Sequence, residues 1–570
     1  MLADIPTLKV VFCWHMHQPD YRDHRQGEYQ LPWTYLHAIK DYVDMVAHLE
    51  RNPQARTVIN FAPILLQQID DYSQQVQRYF SANMVIKDSL LNALVNPVLP
   101  AANDYRHGLI KACLRVNEQR LIARFPPYQR LAELGQWFSD HPDQIGYLNS
   151  QYFIDLLMWY HLAWLGETVR RSHRKVKKLI RKGHHFSYHD RRELLAIIGH
   201  NLSSLIGRYR QLMEQGQIEL SMSPYAHPIM PLLIDMQSAR QSIPDITMPV
   251  ANHYPGGEER ARWQLQQGLD TFEHYFACRP VGCWLSEGGI SDTAVALLDQ
   301  FEFEWTASGE SVLRHSLALE NKPLPDDKAT FLYQPYQLKE NKTLCFFRDD
   351  ELSDLIGFSY SDWHGDDAVA NFIDRLEAIA NNPAIKQDAV VSIILDGENA
   401  WEHYPDNAYY FLQGLYRSIT DHPNLQLTTL ADATRDAGQR VATLQQLVAG
   451  SWVYGTFSTW IGDQQKNRAW DMLVDAKQSY DRVIAEGHLT AGQRALAEQQ
   501  LAICESSDWF WWFGDYNPAA TVSDFDRLFR MHLANCYQCL GLEPPAYLIE
   551  VFTHGSGSPL HGGVMRKGSH

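Results

Sequence analysis

Two apolar runs of this sequence end abruptly in a carboxylic acid. "GCWLSEGGIS" (282–291) presents Glu287, and "VVSIILDGENAWEHY" (390–404) presents Asp396. Two carboxyl groups flanking one bond can cleave a glycosidic linkage: one is ionised as nucleophile or base, the other keeps its proton near neutral pH. Taken singly, each acid is accounted for as a helix cap or a salt-bridge partner. Together, with no nucleotide or metal motif beside them, they point to glycoside chemistry. Further polar residues follow other strand-like runs. "LKVVFC" (8–13) leads to "WHMHQPDYR" with His15 and His17, and "QIELSM" (217–222) carries Glu219 and leads to "SPYAHPIMPLL" with His227. "TLCFF" (343–347) is followed by Arg348, and Trp284 lies inside the fourth run. Folding alone does not require a polar group at so many strand ends, so an active site is expected there.

These groups meet only if the chain returns its strands to one place. Strand-like runs occur at 8–13, 57–61, 217–222, 281–285, 303–307, 343–347 and 389–395, with a weaker eighth at 425–429. Helical patterns such as "DTAVALLDQF" and "AVANFIDRLEAIANN" separate most of them. Alternating strands and helices predict a parallel α/β sheet, and this many units predict a closed barrel or a large open sheet. In a parallel barrel, functional side chains collect at the C-terminal strand ends. Residues 66–214 read as almost wholly helical and are expected to form an insertion carried on the barrel. The eight Lys or Arg within 170–182 read as a solvated helix face. Barrel and insertion would occupy residues 1–435. From 436 to 570 strand patterns are absent, so a C-terminal helical domain completing the cleft is expected.

A net charge of −17 disfavours a nucleic-acid partner, because phosphate binding needs a basic surface. The 16 Trp and 28 Tyr suit sugar, whose apolar ring faces stack on aromatic rings, although core packing claims many of them. No stretch reaches the length of a membrane span. The N-terminus lacks a basic segment followed by a long apolar one, and the eight Cys are scattered. A cytoplasmic location is therefore expected. Cys536 and Cys539 sit on a helical pattern with no second pair nearby, and no metal or cofactor is called for.

The motif strings resemble those of glycoside hydrolase family 57. "HQP" (17–19), "GQIELSMSPYAHPIMPLL" (216–233), "GCWLSEGGIS" and "ILDGENAW" (394–401) stand in the family's order. "SWVYGTFSTWIGDQQKNRAWDML" (451–473) resembles its fifth motif in the α-amylase and amylopullulanase-like branch. "SSDWFWWFGDYN" (506–517) and "FDRLFRMHLANCYQCLG" (525–541) resemble the segments that follow there. The resemblance implies an incomplete (β/α)7 barrel, a C-terminal helical domain, and retaining action on α-glucans such as starch, glycogen and maltooligosaccharides. It implies Glu287 as nucleophile and Asp396 as general acid/base. His15, His17, Glu219, His227 and Trp284 would line the pocket, and Trp460 and Asp463 of the fifth motif would reach the cleft. Trp509, Trp511 and Trp512 read as helical-domain packing.

Three other activities compete with α-1,4-glucan hydrolysis. A 4-α-glucanotransferase would share the same intermediate, and "WLSEGG" does not fix specificity. A zinc α-mannosidase would carry an HxD ligand motif near the first strand, where this chain has His15, His17 and Pro19. A non-catalytic glucan-binding protein would need no paired acids.

Overall fold

The computed structural model describes residues 7–319, 325–339, 341–438 and 440–557. Seven parallel strands are β1 (Leu8–Met16), β2 (Thr57–Phe61), β3 (Ile218–Met222), β4 (Gly282–Cys283), β5 (Trp305–Gly309), β6 (Leu344–Arg348) and β7 (Val390–Asp396). They neighbour one another in chain order, and β7 pairs with β1 from Lys9 to His15, so the sheet returns on itself. The β6–β7 seam is thin, with Ser392 opposite Arg348 as its one register pair. This is the expected (β/α)7 barrel. The weaker eighth run forms β8 (Leu425–Leu427), which pairs with β1 at Leu8–Val10, while β2 takes β1 at Cys13–Met16.

Alternate residues of each strand point inward, as a two-residue period requires. Cys13, Val58, Trp305, Phe346 and Ile394 build an interior core distinct from the one outside the barrel. Leu430, Ala433 and Ala437 of the helix Leu430–Ala437 join that core and close the barrel base. The opposite end is left to the polar strand termini.

Three short pairings are not evident in the sequence. Tyr336–Leu338 runs antiparallel beside β6, and Ala442–Leu444 pairs with it in a stretch expected to lack strands. Arg22–Asp23 and Glu28–Tyr29 make a two-residue ladder. Each is too short to show an alternating pattern, so only the tertiary contacts define it.

Helices fill the chain from Pro63 to Glu214 between β2 and β3. Ser150–Trp164 is apolar nearly all round, and Phe153, Leu157, Trp159 and Trp164 are all buried. The basic run spans two helices: Arg174–Lys182 buries Val176 and Leu179 and turns its lysines to solvent, whereas Arg170 on the helix before it is buried and paired with Glu167. After the barrel come the helices Gln464–Glu486, Ala491–Cys504, Ser507–Trp512 and Ala519–Cys539. Trp509 is fully buried among Phe525, Phe529 and His532, in the packing role expected for it. Among the described residues no helix is long and apolar enough to cross a membrane.

Candidate active site

Glu287 stands just beyond β4. The ladder ends at Cys283 because the chain turns through Ser286–Gly288, with Glu287 at φ +58° and Gly288 at φ +56°. A left-handed backbone costs a non-glycine residue about 1–2 kcal/mol. Such strain persists only where surrounding contacts fix it, and functional sites collect it. Trp452 fixes it here: its backbone N–H donates to the Glu287 carbonyl at 3.1 Å, and its indole N–H donates to Glu287 Oε2 at 3.0 Å. His227, also left-handed at φ +61°, places Nδ1 3.9 Å from Glu287 Oε1.

Asp396 is the last residue of β7 and lies opposite His15 of β1. Asn399 Nδ2 donates to its Oδ2 at 2.8 Å. The next residue is Gly397, where a Cβ would come within 2.3 Å of Met16 Sδ and displace that side chain. The acid therefore rests on a turn pressed against β1. Behind it Glu398 is buried, accepting from Gln18 Nε2 at 3.3 Å.

Burial raises both acids, and their neighbours separate them. Glu287 is pushed up to about 8 by burial and by the carboxylates of Asp396 and Asp508, against hydrogen bonds from Trp452 and Ser507. Asp396 is pushed up to about 6 by burial, against the Asn399 hydrogen bond and the positive fields of His17 and Arg348. Both acids are thus shifted towards holding a proton near neutrality, Glu287 further than Asp396. Glu287 feels the charge of Asp396, as one of two neighbouring carboxyl groups does.

Three imidazoles lie beside the pair. His17 stacks on His227 with ring centroids 3.9 Å apart and planes at 22°, and His15 lies 5.0 Å from His227. His15 Nδ1 donates to Asn60 Oδ1 at 2.7 Å, and burial followed by the His17 charge drives His15 down to about 3. Burial, with His17 and His15 beside it, pushes His227 well below its ordinary range. His15 and His227 are therefore uncharged at neutral pH. His17 Nε2 bonds both oxygens of Asp508, at 3.0 and 2.9 Å.

Candidate ligand atoms of His17, His227 and Asp508 lie within 4.8 Å of one another, so a metal has to be weighed. Imidazole nitrogens bind zinc along the ring plane at about 2.0–2.1 Å. Two rings stacked nearly parallel 3.9 Å apart leave no nearby point that lies in both ring planes, so one ion cannot take an in-plane lone pair from each. The donor set does not fit zinc, and neither does the zinc mannosidase reading.

The other expected site residues divide. Arg348 is at the mouth: it donates to the Ile394 carbonyl at 3.0 Å and to Asp350 at 2.7 Å, and it covers the Trp452 ring at 4.9 Å. Trp284 is fully buried and meets Trp452 edge-on at 5.3 Å, forming part of the floor. Glu219, expected in the pocket, lies instead at the barrel base. As the second residue of β3 it is at the wrong end, and it accepts from Trp305 Nε1 at 2.6 Å and from the Ala431 backbone at 2.8 Å. Trp460 is fully buried in the helical region against Trp511, and Asp463 caps the helix Gln464–Glu486.

Sequence reasoning missed Trp452, Asn60, Ser507 and Asp508. Asn60 did carry a signal, as a lone amide inside the buried run "TVINF". The others stand in strings whose aromatic residues draw attention away from them.

The barrel thus carries two acids and three histidines towards the C-terminal ends of its strands, where parallel barrels hold their functional groups. The family model for glycosyl hydrolase family 57 matches residues 11–445, and the chain belongs to that family. Solved structures agree on the fold. A family 57 branching enzyme from Pyrococcus horikoshii is 17% identical with a TM-score of 0.58, over 96% of this chain and 93% of that one. A branching enzyme from Thermococcus kodakaraensis is 15% identical with a TM-score of 0.57, over 94% and 90%. An α-amylase from Thermotoga maritima is 14% identical with a TM-score of 0.54, over 94% of each chain. No curated protein matches the chain in sequence.

Proposed function

We propose that this chain is a retaining α-glucan glycosidase that cleaves α-1,4-glucosidic bonds through a glycosyl-enzyme intermediate. The observation that carries the reading is the coupled pair Glu287 and Asp396 at the ends of β4 and β7 in a family 57 barrel. Glu287 attacks the anomeric carbon. Asp396 gives its proton to the leaving oxygen and then takes one from the incoming water. This needs the proton on Asp396, whereas the protein alone shifts Glu287 further towards holding one. Positive charge growing on the sugar ring beside Glu287 during bond cleavage reverses that preference, since it stabilises the neighbouring carboxylate.

Mechanism-based trapping tests the assignment. A fluorinated α-glucosyl fluoride that forms its intermediate faster than it loses it should label Glu287, as read by peptide mass spectrometry. A label on Asp396 would exchange the two roles. Transfer to a second glucan is the other reading, since a sugar hydroxyl can replace water at the same intermediate. The product profile on maltooligosaccharides separates hydrolysis from transfer.

A further inference from the structure

The barrel does not complete its own mouth. The chain crosses back after Cys504, and the consecutive residues Ser507 and Asp508 land on the histidines of two different strand ends. We propose that Asp508 is a positioning residue for the chemistry at Glu287 and Asp396: carried on the C-terminal helical region, it orients His17, and with Ser507 it locks the His17–His227 stack against Glu287. This rests on the glycosidase reading above.

The contacts form a continuous chain. Asp508 accepts from His17 Nε2 through both oxygens at 3.0 and 2.9 Å, and Ser506 Oγ donates to Asp508 Oδ2 at 2.5 Å. Both Asp508 oxygens accept, so Nε2 carries the proton of this bond and the ring cannot flip without losing it. His17 in turn stacks on His227, whose Nδ1 shares a hydrogen bond with Ser507 Oγ at 2.9 Å and lies 3.9 Å from Glu287 Oε1. The Ser507 backbone N–H donates to the His227 carbonyl at 2.9 Å, close to that residue's left-handed backbone.

The mount is rigid. Trp509, next in the chain, is fully buried and donates from Nε1 to the Ile503 carbonyl at 2.8 Å. His532 on the last helix bonds the Asp20 carbonyl at 3.0 Å, which ties the same region to the loop after β1. A group locked by packing and by a second layer of hydrogen bonds holds its geometry tightly enough for chemistry. The charged and titratable groups that face Asp508 are His17 and Tyr21 from the β1 end, Glu287 after β4, and Asp396 on β7.

Asp508→Asn preserves shape while removing the charge and one of the two acceptors. Expected results are a melting temperature close to wild type, kcat on maltooligosaccharides lower by about 10²-fold, and KM changed less than about threefold. The limb of the pH profile set by the two acids should move to lower pH, because a negative neighbour has been taken away. Asp508→Ala should lose more activity and recover part of it in added formate, which refills the carboxylate site. Ser507→Ala should show the same kcat-weighted loss in smaller measure. Wild-type kcat and pH profile in Asp508→Asn would overturn the proposal, as would activity lost only in proportion to unfolded protein. An activity-independent readout is the downfield imidazole N–H proton resonance of the His17–Asp508 bond, assigned by its loss in His17→Gln. It should also vanish in Asp508→Asn, and its persistence there would overturn the pairing. If the wild type turns over no α-glucan, the glycosidase reading fails instead, and the resonance still decides the pairing.

Discussion

Trp452 holds Glu287 from both ends, its backbone N–H on the carbonyl at 3.1 Å and its indole N–H on Oε2 at 3.0 Å. Arg348 covers the face of the same indole while Glu287 takes its N–H edge, so a cation, an aromatic ring and a carboxylate meet at the mouth. The indole hydrogen bond favours the anion of Glu287, opposing the burial that disfavours it.

Trp452→Phe keeps the ring and loses that donor. Hydrogen bonds to charged groups are worth about 1.5–3 kcal/mol, so kcat/KM should fall by roughly 10- to 100-fold. The Glu287 limb of the pH–rate profile should move to higher pH, because the anion has lost a donor. An unchanged profile would show that the indole only packs.

Glu287→Gln should abolish turnover and leave the fold intact. It should also stabilise the protein in alkali. The folded-state value of Glu287 is raised from the ordinary 4.5 to about 8, so across that window the folded protein holds a proton the unfolded chain has released. Stability from this group is complete below pH 4.5 and is lost as pH rises towards about 8. Gln never ionises and escapes the loss. The melting temperature of Glu287→Gln should therefore exceed wild type by on the order of 1–2 °C at pH 9 and converge with it at pH 5. A variant less stable than wild type at pH 9 would contradict the burial argument.

Glu219 should matter for stability rather than for turnover. Its two oxygens satisfy Trp305 Nε1 and the Ala431 N–H at the barrel base. Glu219→Ala strands both buried donors, at a cost of about 2–4 kcal/mol. Denaturant melts should show that loss, with kcat per folded molecule within about twofold of wild type. A selective loss of kcat at unchanged stability would return Glu219 to the pocket.

The strands were legible because most of them are buried on both faces and read as unbroken apolar runs, β7 most clearly. β4 has only two paired residues, yet the apolar run 281–285 that holds it was legible as a strand. Glu287, Asp396, His17 and His227 were legible because each stands at or beyond the C-terminal end of a strand, and those ends face one place in such a barrel. Glu219 misled because motif membership does not say which end of a strand a residue occupies. Trp452 and Asp508 were illegible for a different reason. Their positions depend on how the chain returns over the mouth after β8, and no local pattern encodes that path. Asp508 between Ser507 and Trp509 reads as an ordinary helix start, as Asp463 proved to be.

Asp396→Asn should slow both chemical steps on natural glucans, because one group serves as acid and then as base. A retaining pair works at about 5–5.5 Å, whereas an inverting pair needs roughly 6.5–9.5 Å to admit a water between the acids. Mutual repulsion through a buried medium keeps a proton on one of two close carboxyls. Once Glu287 is glycosylated its charge is gone, the repulsion ends, and Asp396 can release its proton and act as base. An aryl α-glucoside with a good leaving group needs no protonation, so the variant should form the intermediate at near wild-type rate and stall there. Added azide needs no base, so it should restart turnover and yield the α-glycosyl azide. Proton NMR of the first sugar released by the wild type checks the stereochemistry directly. An α-anomer appearing first is the expected result, and a β-anomer appearing first would mean that water, and not Glu287, attacks the anomeric carbon.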